Sequence, residues 1–408
     1  MFFSALKHRN YKIYFFGTGI SSIGNWANRI AQDWLVLELT GSAKALGVIV
    51  ACQFAPGLLF SAYAGSLADR FDHRKTLMMI NALGVFSSLG LGLLVLTDHI
   101  NFLIIAISAF LIGTTITLDG PIRQTYYLVL VGDKDLRNAL SLNSLNVNLG
   151  RLIGPAISGL LIDQFGTGPS FLINSFSYAV TITTLIAIRP SLYFKQVKEV
   201  STTSKSNVVG KGGVGIAEGF RYFFSNRYLL TSVMVVSLFA MWGQDFQITS
   251  ILMAKETFAR SASSFGFLGS SFAAGAILGS LVLARKTNPV TIHRILLNAG
   301  FMTASWFLAA FAPTFFWFAI ILFICGYFAI GMNTLTNAGI RTFTSIEFYG
   351  RSWGIYILIF QTLIAIGAPI LGAISDAYSP RHSIFIGAFF ALLTLVWAVK
   401  KVEITNKN

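Results

Sequence analysis

The stretch GSLADRFDHRKT, residues 65–76, carries six charged or titratable side chains in twelve positions. The chain around it is strongly apolar: 54% of its 408 residues are hydrophobic and only 11% are charged. A soluble protein has roughly 25% charged residues, so this chain has less than half of the usual share. So dense a charged stretch in so apolar a chain predicts a short polar turn between two helices that cross a membrane.

Long apolar segments on both sides of this turn support that interpretation. A run of about 18 or more apolar residues is long enough to cross the hydrocarbon core of a bilayer as a helix. We therefore predict an all-α polytopic membrane protein with twelve transmembrane helices in two pseudo-symmetric six-helix bundles. The predicted spans are 12–37, 43–66, 75–97, 100–122, 139–162, 168–190, 228–252, 262–284, 292–312, 314–338, 350–375 and 381–400.

The longest polar stretch, 191–227, divides these spans six and six. Its first part is rich in Gly, Ser, Thr and Lys, which is typical of a flexible linker. Its end, IAEGFRYFFSNR at 216–227, fits either a short amphipathic helix on the membrane surface or an extension of the seventh span. We predict an N-terminal bundle over 1–190, a cytoplasmic linker over 191–227 and a C-terminal bundle over 228–408.

The basic residues are distributed unevenly between the two sides of the predicted membrane. With a cytoplasmic N-terminus, 24 of the 30 Lys and Arg residues fall in cytoplasmic segments and four fall on the other side. This asymmetry is the positive-inside rule, and it accounts for the net charge of +14 without a nucleic-acid partner. We predict a monomeric multi-pass protein of the bacterial plasma or inner membrane, surrounded by lipid, with both termini in the cytoplasm.

The sequence GSLADRFDHRK resembles the cytoplasmic signature of the major facilitator superfamily. The resemblance implies a lock between the two halves, in which Asp69 faces the start of the eleventh span near Arg351. It also implies that Arg70 or Arg74 pairs with Asp119 at the end of the fourth span. The positions that match the signature are Gly65, Leu67, Ala68, Asp69, Arg70 and Arg74.

A second stretch, GRLIGPAISG at 150–159, resembles the antiporter motif on the fifth helix of exporters in this superfamily. Gly150, Gly154, Pro155 and Gly159 match it. Small residues let helix backbones pack closely in lipid, and proline removes a helical hydrogen bond, so an ordinary packing face explains the pattern equally well. With DGPIRQTYY and YGRSW, the chain is similar to the drug, macrolide and siderophore exporters, which implies export by alternating access with proton antiport.

Charged residues inside the predicted spans are candidates for a functional site. Each costs about 2.5–3.5 kcal/mol at a helix centre, so it is expected to face the interior or a partner. Arg29 and Asp33 lie four residues apart on one face of the first span, where they form a permanent ion pair or Asp33 exchanges a proton. Asp245 is the second proton candidate, and Arg151 is a candidate partner for a carboxylate. Asp119 is assigned to the lock.

Uncharged polar and aromatic side chains within the spans are expected to line a mostly apolar substrate cavity. Together with the charged candidates they predict a site for a small amphipathic molecule and for protons. The residues assigned to this cavity are Asn25, Trp26, Gln53, Asn146, Asn333 and Gln361.

Other classes of protein fit the sequence less well. The five histidines lie at span edges or in tails without metal-ligand spacing, and no phosphate-binding loop is present. We therefore predict a transporter that is not an enzyme and has no cofactor and no metal. The alternatives are a facilitator-type importer or uniporter of a small metabolite, and a membrane receptor or scaffold that moves no substrate.

Overall fold

A computed structural model describes the backbone of residues 3–194, 216–243, 246–284, 290–345 and 347–407. Side chains are described for the same residues except 62–70, 216–217, 284 and 404–407. Within these residues all regular elements are helical. The α-helices are α1 (Arg9–Thr40), α2 (Ala43–Arg70), α3 (His73–Leu96), α4 (Phe102–Phe165), α5 (Gly168–Ala187), α6 (Ile216–Ser225), α7 (Arg227–Met241), α8 (Gln247–Leu252), α9 (Ala262–Ala284), α10 (Ile292–Ala310), α11 (Phe315–Phe343), α12 (Tyr349–Ala377) and α13 (Pro380–Lys407).

Apart from 228–252, each predicted span lies largely within one helix. In the described part of the chain, eight helices are individually long and apolar enough to cross a membrane, or nine when the bent pair α6–α7 is counted as one span. Helix α4 is 64 residues long and contains two predicted spans, 100–122 and 139–162. Between them Gly132 has a φ of 70°, a left-handed value that glycine adopts without steric cost. The prediction of an all-helical polytopic membrane protein is confirmed.

The chain divides into two compact units. The first contains residues 1–32 and 59–213, and the second contains residues 33–58 and 214–408. Helices α1 and α2 therefore contribute to both units, because the ends that meet at their shared turn pack with the second unit. The domain boundaries at 190 and 228 stay a prediction.

In the first unit, tyrosines join α1 to α4. Tyr11 is fully buried and its hydroxyl donates to the Ala139 carbonyl oxygen at 2.8 Å. Tyr14 packs edge-to-face on Tyr126 with the ring centroids 5.5 Å apart. Burying these two tyrosines gains apolar contact area, and the Tyr11 hydroxyl keeps a hydrogen-bond partner.

The N-terminal turn also binds α4, in the polar segment between the two spans that α4 contains. The backbone N–H of Ala5 donates to Asn138 Oδ1 at 3.0 Å, and His8 Nε2 lies 2.9 Å from Asp135 Oδ2. The hydrogen bond from His8 lowers the pKa of Asp135 below its usual value. The chain before α1 is therefore fixed to the first unit.

In the second unit, α9 and α11 pack through glycines. A Cβ atom at Gly275 would overlap the Phe323 carbonyl oxygen, and one at Gly326 would overlap the Phe272 carbonyl oxygen. Small residues allow this close approach of helices in membranes, where dispersion contacts replace the hydrophobic effect.

The prediction of one continuous helix over 228–252 is wrong. Helix α7 ends at Met241, Gly243 has a φ of 93° and Phe246 has a φ of 52°, so α8 begins after a break in the backbone. Phe246 is 1% exposed and its ring centroid lies 5.4 Å from that of Trp306, so tertiary packing holds this left-handed residue in place. A π-helical turn, Met253–Thr257, follows α8.

The segment before α7 forms the separate helix α6, which settles one alternative that the sequence left open. The axes of α6 and α7 differ by 89°, so 216–225 is not an extension of the seventh span. Asn226 lies at the corner, where its Oδ1 accepts a hydrogen bond from the Leu229 N–H at 3.0 Å. This side-chain cap satisfies one of the free N–H groups at the start of α7.

Candidate functional site

The Asp33 carboxylate is completely buried in the second unit, where two glutamine side chains bind it. Gln247 Nε2 donates to Asp33 Oδ2 at 2.5 Å, and Gln53 Nε2 donates to Asp33 Oδ1 at 3.3 Å. Burying a carboxylate is costly unless hydrogen bonds replace those of water, and these amides supply such bonds. The structure therefore brings the predicted pair Asp33 and Gln53 together and adds Gln247.

The break in the seventh span places Gln247 against Asp33. Gln247 is the first residue of α8 and directly follows the left-handed Phe246. Sequence reasoning missed Gln247, although the polar run Gln244, Asp245 and Gln247 beside Gly243 was a visible signal of a broken span. Asp245 itself lies outside the described residues, so its role stays a prediction.

Helix α2, which carries Gln53, is held close to α12 by glycines. A Cβ atom at Gly47 would overlap the Ala368 carbonyl oxygen, and one at Gly57 would overlap the Gln361 side-chain amide. The predicted cavity residue Gln361 therefore lies against Gly57 of α2, and Gly57 is four residues beyond Gln53.

The end of α12 is tied to the start of α2 by the Asp376 carboxylate. Asp376 Oδ1 accepts a hydrogen bond from the Ala43 N–H at 2.6 Å, and Oδ2 accepts one from the Lys44 N–H at 2.9 Å. The Ser42 hydroxyl also donates to Oδ2, at 2.8 Å. A carboxylate at a helix N-terminus satisfies free N–H groups and complements the helix dipole. We call this arrangement of Asp376 with residues 42–44 the clasp.

A cavity of about 550 Å³ adjoins the clasp. Partial desolvation, and the nearby Asp376 carboxylate, raise the pKa of Glu256, which lies in the π-helical turn. Among the described residues, no three His, Cys, Asp or Glu side chains form a group that could hold a metal. The lining residues are Gly41, Glu256, Thr257, Ser375, Asp376, Tyr378, Ser379, Pro380 and Arg381.

In the first unit, Trp26 is contacted by two arginines. The guanidinium carbon of Arg29 lies 5.6 Å from the Trp26 ring centroid, and that of Arg151 lies 5.2 Å from it. Cations within about 6 Å of an indole ring are attracted by its electron-rich face. Three residues predicted for the substrate and proton pathway are thus brought together.

The glycines of the antiporter-type motif bring Arg151 to Trp26. A Cβ atom at Gly150 would overlap the Ser22 hydroxyl, and one at Gly154 would lie 2.6 Å from the Trp26 Cβ. Pro155 and Gly159 are buried on the same helix. The motif therefore packs α4 closely on α1, while its link with export stays a prediction.

Two predicted cavity residues of the first unit connect helices. Asn25 Oδ1 accepts a hydrogen bond from the Tyr178 hydroxyl at 2.6 Å. Asn146 is 5% exposed, and its Nδ2 donates to the Phe15 carbonyl oxygen at 2.8 Å. In the second unit, Asn333 Oδ1 is buried and accepts no hydrogen bond from the residues that the structure describes.

Of the two partners predicted for Asp119, Arg74 is described and lies elsewhere, whereas the Arg70 side chain lies outside the described residues. Asp119 is buried and pairs with Arg123, one turn further along α4. Arg74 instead donates to the carbonyl oxygens of Leu185 at 2.7 Å and Ile186 at 3.0 Å. The pairing of Arg74 with Asp119 is thereby corrected: free carbonyls at the end of α5 attract the cation.

The other residues of the predicted lock are only partly described. The Arg351 guanidinium carbon lies 5.7 Å from the Phe348 ring centroid, and its side chain packs against Gly219 of α6. The side chains of Gly65, Asp69 and Arg70 lie outside the described residues. The lock therefore stays a prediction.

The sequence as a whole places the chain among the secondary transporters of the major facilitator superfamily. The chain belongs to the family of transmembrane secretion effectors within it, whose sequence pattern matches residues 2–408. The resemblance inferred from GSLADRFDHRK is confirmed.

Individual relatives and a solved structure agree with this assignment. The chain is 23% identical over 380 residues to the Staphyloferrin A transporter of Staphylococcus aureus, covering 90% of each protein. It is 25% identical over 386 residues to the multidrug efflux pump Tap of Mycobacterium bovis, covering 91% of this chain and 88% of that protein. The crystal structure of a POT family transporter in complex with a thioalcohol-conjugated peptide matches with a TM-score of 0.73 at 14% identity, covering 98% and 96% of the two chains. The structural match shows the common fold.

Proposed function

We propose that this protein exports a small amphipathic molecule from the bacterial cytoplasm by alternating access and that inward movement of protons drives the export. The family assignment and the names of the relatives, one an efflux pump, support export of a drug, macrolide or siderophore-like molecule. Trp26, Arg29 and Arg151 are the proposed substrate contacts in the first unit. The protein works as a monomer in this proposal.

The observation that carries the proton step is the pair of glutamines on Asp33. A glutamine side chain has both a donor N–H₂ and an acceptor carbonyl oxygen. When Asp33 is ionised, Gln53 and Gln247 donate to it; when Asp33 is protonated, rotation of one amide offers an oxygen to the new O–H. The same two side chains can therefore hydrogen-bond Asp33 in both of its protonation states.

The broken span gives Asp33 a place in the transport cycle. Transporters build substrate and ion sites at discontinuous helices because the free backbone groups there are tolerated only beside a cavity or within protein. The break between α7 and α8 directly precedes Gln247. A change in the backbone at the break would move Gln247, which donates a hydrogen bond to Asp33. Protonation of Asp33 is thereby coupled to the conformation of the seventh span.

Transport in proteoliposomes tests this proposal. We expect a panel of amphipathic dyes of both charges to include at least one that accumulates against its gradient when the lumen is acidic, with proton release from the lumen. An importer or uniporter would only equilibrate dyes, with no effect of the pH gradient. A receptor or scaffold would bind a dye without moving it, and either result would contradict the proposal.

The orientation of the chain is tested by cysteine labelling. With both termini and the linker in the cytoplasm, a membrane-impermeant maleimide applied to intact cells should label a Ser261→Cys variant. The same reagent should not label Ser204→Cys, whose position lies outside the described residues. Ser261 is exposed, so lack of access within the protein would not prevent labelling there. The reverse pattern would overturn the proposed orientation.

Gln247→Leu should uncouple transport from the proton gradient. A hydrogen bond to a charged group contributes about 1.5–3 kcal/mol, so losing this donor should lower proton-driven accumulation about tenfold or more. Downhill exchange of dye should persist, because the variant keeps the apolar volume of the side chain. The measurement is a comparison of both modes in the same proteoliposomes.

Gln32→Leu is the matched control for this variant. Gln32 is also a buried glutamine, but its Nε2 donates to the Ile105 carbonyl oxygen at 3.4 Å in the first unit. Its loss should reduce stability without separating coupled from downhill transport. Equal effects of the two substitutions on the ratio of the two modes would show that Gln247 has no special part in coupling.

A further inference from the structure

Helix α6 is fixed to the connection between α11 and α12. Phe223 is fully buried, and the Tyr222 ring stacks on Phe348 with centroids 4.2 Å apart and planes within 5°. The Ser345 N–H donates to the Tyr222 hydroxyl oxygen at 3.0 Å. One face of α6 is therefore occupied by the protein itself.

The orientation of α6 follows from its angle to α7. The two axes differ by 89°, and α7 lies within the predicted span 228–252, so a span close to the membrane normal places α6 close to the membrane plane. The corner is held by Asn226, whose Nδ2 donates to the Phe343 carbonyl oxygen at 2.6 Å. A short helix in this orientation next to a span lies at the level of the lipid headgroups.

A second face of α6 is aromatic and accessible. Phe220 and Phe224 lie one turn apart, with ring centroids 6.3 Å apart and planes within 17°. The side chain of Phe224 is 52% exposed. On a helix parallel to the membrane, such a pair enters the boundary between headgroups and acyl chains.

The third face of α6 and its surroundings are cationic. Arg221 is exposed on α6, and Arg227 is exposed at the first residue of α7, just beyond the corner. Anionic headgroups attract such cations, and the attraction falls off within a Debye length. The other exposed charged residues of this helix and of the α11–α12 connection are Glu218, Arg341, Glu347 and Arg351. Arginines outnumber acids four to two in this set.

We infer that α6 binds an anionic phospholipid. Phe220 and Phe224 lie among the first acyl carbons of the lipid, and Arg221 and Arg227 bind its phosphate. Because Tyr222 fixes α6 to the α11–α12 connection, the bound lipid stabilises that connection. This lipid site is distinct from the proposed transport site, and its test requires no substrate.

Purified protein in nanodiscs tests the lipid site through thermal stability. Wild type is placed in discs of phosphatidylcholine alone and of phosphatidylcholine with phosphatidylglycerol, and the midpoint of thermal unfolding is measured. We expect phosphatidylglycerol to raise the midpoint by several degrees and native mass spectrometry to show it retained on the protein. Equal midpoints and equal retention of both lipids would overturn the inference.

Substitutions separate a specific site from general charge. The double variant Arg221→Gln and Arg227→Gln should lose most of the midpoint shift, and the double lysine variant should keep it. Arg260→Gln is the control, because Arg260 is also exposed and lies 5.7 Å from an aromatic ring centroid, that of Phe315. An unchanged shift in the glutamine double variant, or an equal shift from inorganic phosphate in phosphatidylcholine discs, would contradict a phospholipid site.

Discussion

Replacing Asp33 with asparagine is expected to abolish proton-driven accumulation of substrate while downhill exchange continues. Asparagine has nearly the same shape and still offers an oxygen to Gln53 and Gln247, but it cannot ionise. The variant is therefore fixed in a state that resembles protonated Asp33. The measurement is dye flux in proteoliposomes with and without a pH gradient, together with proton release followed by an internal pH indicator.

Glu38→Gln is the matched control for this experiment. Glu38 is the next acid along α1, it is exposed, and its Oε1 accepts a hydrogen bond from Trp34 Nε1 at 2.6 Å. Neutralising it should leave coupled transport intact.

Asp245→Asn is the parallel test. If both Asp33→Asn and Asp245→Asn retained wild-type proton-coupled rates, coupling through these carboxylates would be excluded.

Gly275→Ala is expected to have the largest effect on stability. The added methyl group would overlap the Phe323 carbonyl oxygen on the neighbouring helix, so α9 and α11 must separate. Overpacking of this kind costs about 1–3 kcal/mol, and Gly326→Ala should add to it from the other side of the same interface. Thermal unfolding followed by fluorescence-detected size-exclusion chromatography measures the loss of folded protein.

Gly354→Ala should have the opposite sign and serves as the control. Nothing lies within 4 Å of the position that its Cβ would occupy, and the residue is within helix α12. Alanine reduces the conformational freedom of the unfolded chain at such a position, which stabilises by about 0.4–1 kcal/mol. If Gly354→Ala lowered the melting temperature as much as Gly275→Ala, the close packing at Gly275 could not be the cause of the loss of stability there.

The sequence alone was sufficient for the helices but not for the break in the seventh span. Hydropathy is averaged over a window of residues, so the apolar neighbours of Gln244 and Asp245 keep the mean high across the break. The average therefore gives no sign of the left-handed backbone at Gly243 and Phe246. Gly243 gave a local signal for the first of them. The conformation of Phe246 depends on its contact with Trp306, which lies 60 positions away in the chain and cannot be read from local propensity.

The candidate site was also only partly predictable. Asp33 was identified because a charge within a membrane span is costly. The pairing of Asp119 with Arg123 was also predictable, because residues four apart on a helix are neighbours. The partners of Arg74 are backbone carbonyls, which every residue has, so no sequence pattern marks them. Gln247 was missed because no single-sequence argument shows which helix faces Asp33.

The clasp has a consequence for the resting state of the transporter. Loss of a helix cap costs about 0.5–2 kcal/mol, which multiplies the ratio of two conformations by roughly two to thirty. We expect the alternating cycle to change the contact between α2 and α12, so that the clasp forms in only one of the two conformations and Asp376 biases the fraction of protein in that conformation. Substitutions at Asp376 can therefore change the fraction of time spent facing each side, and with it the turnover rate, without altering the affinity of the substrate site.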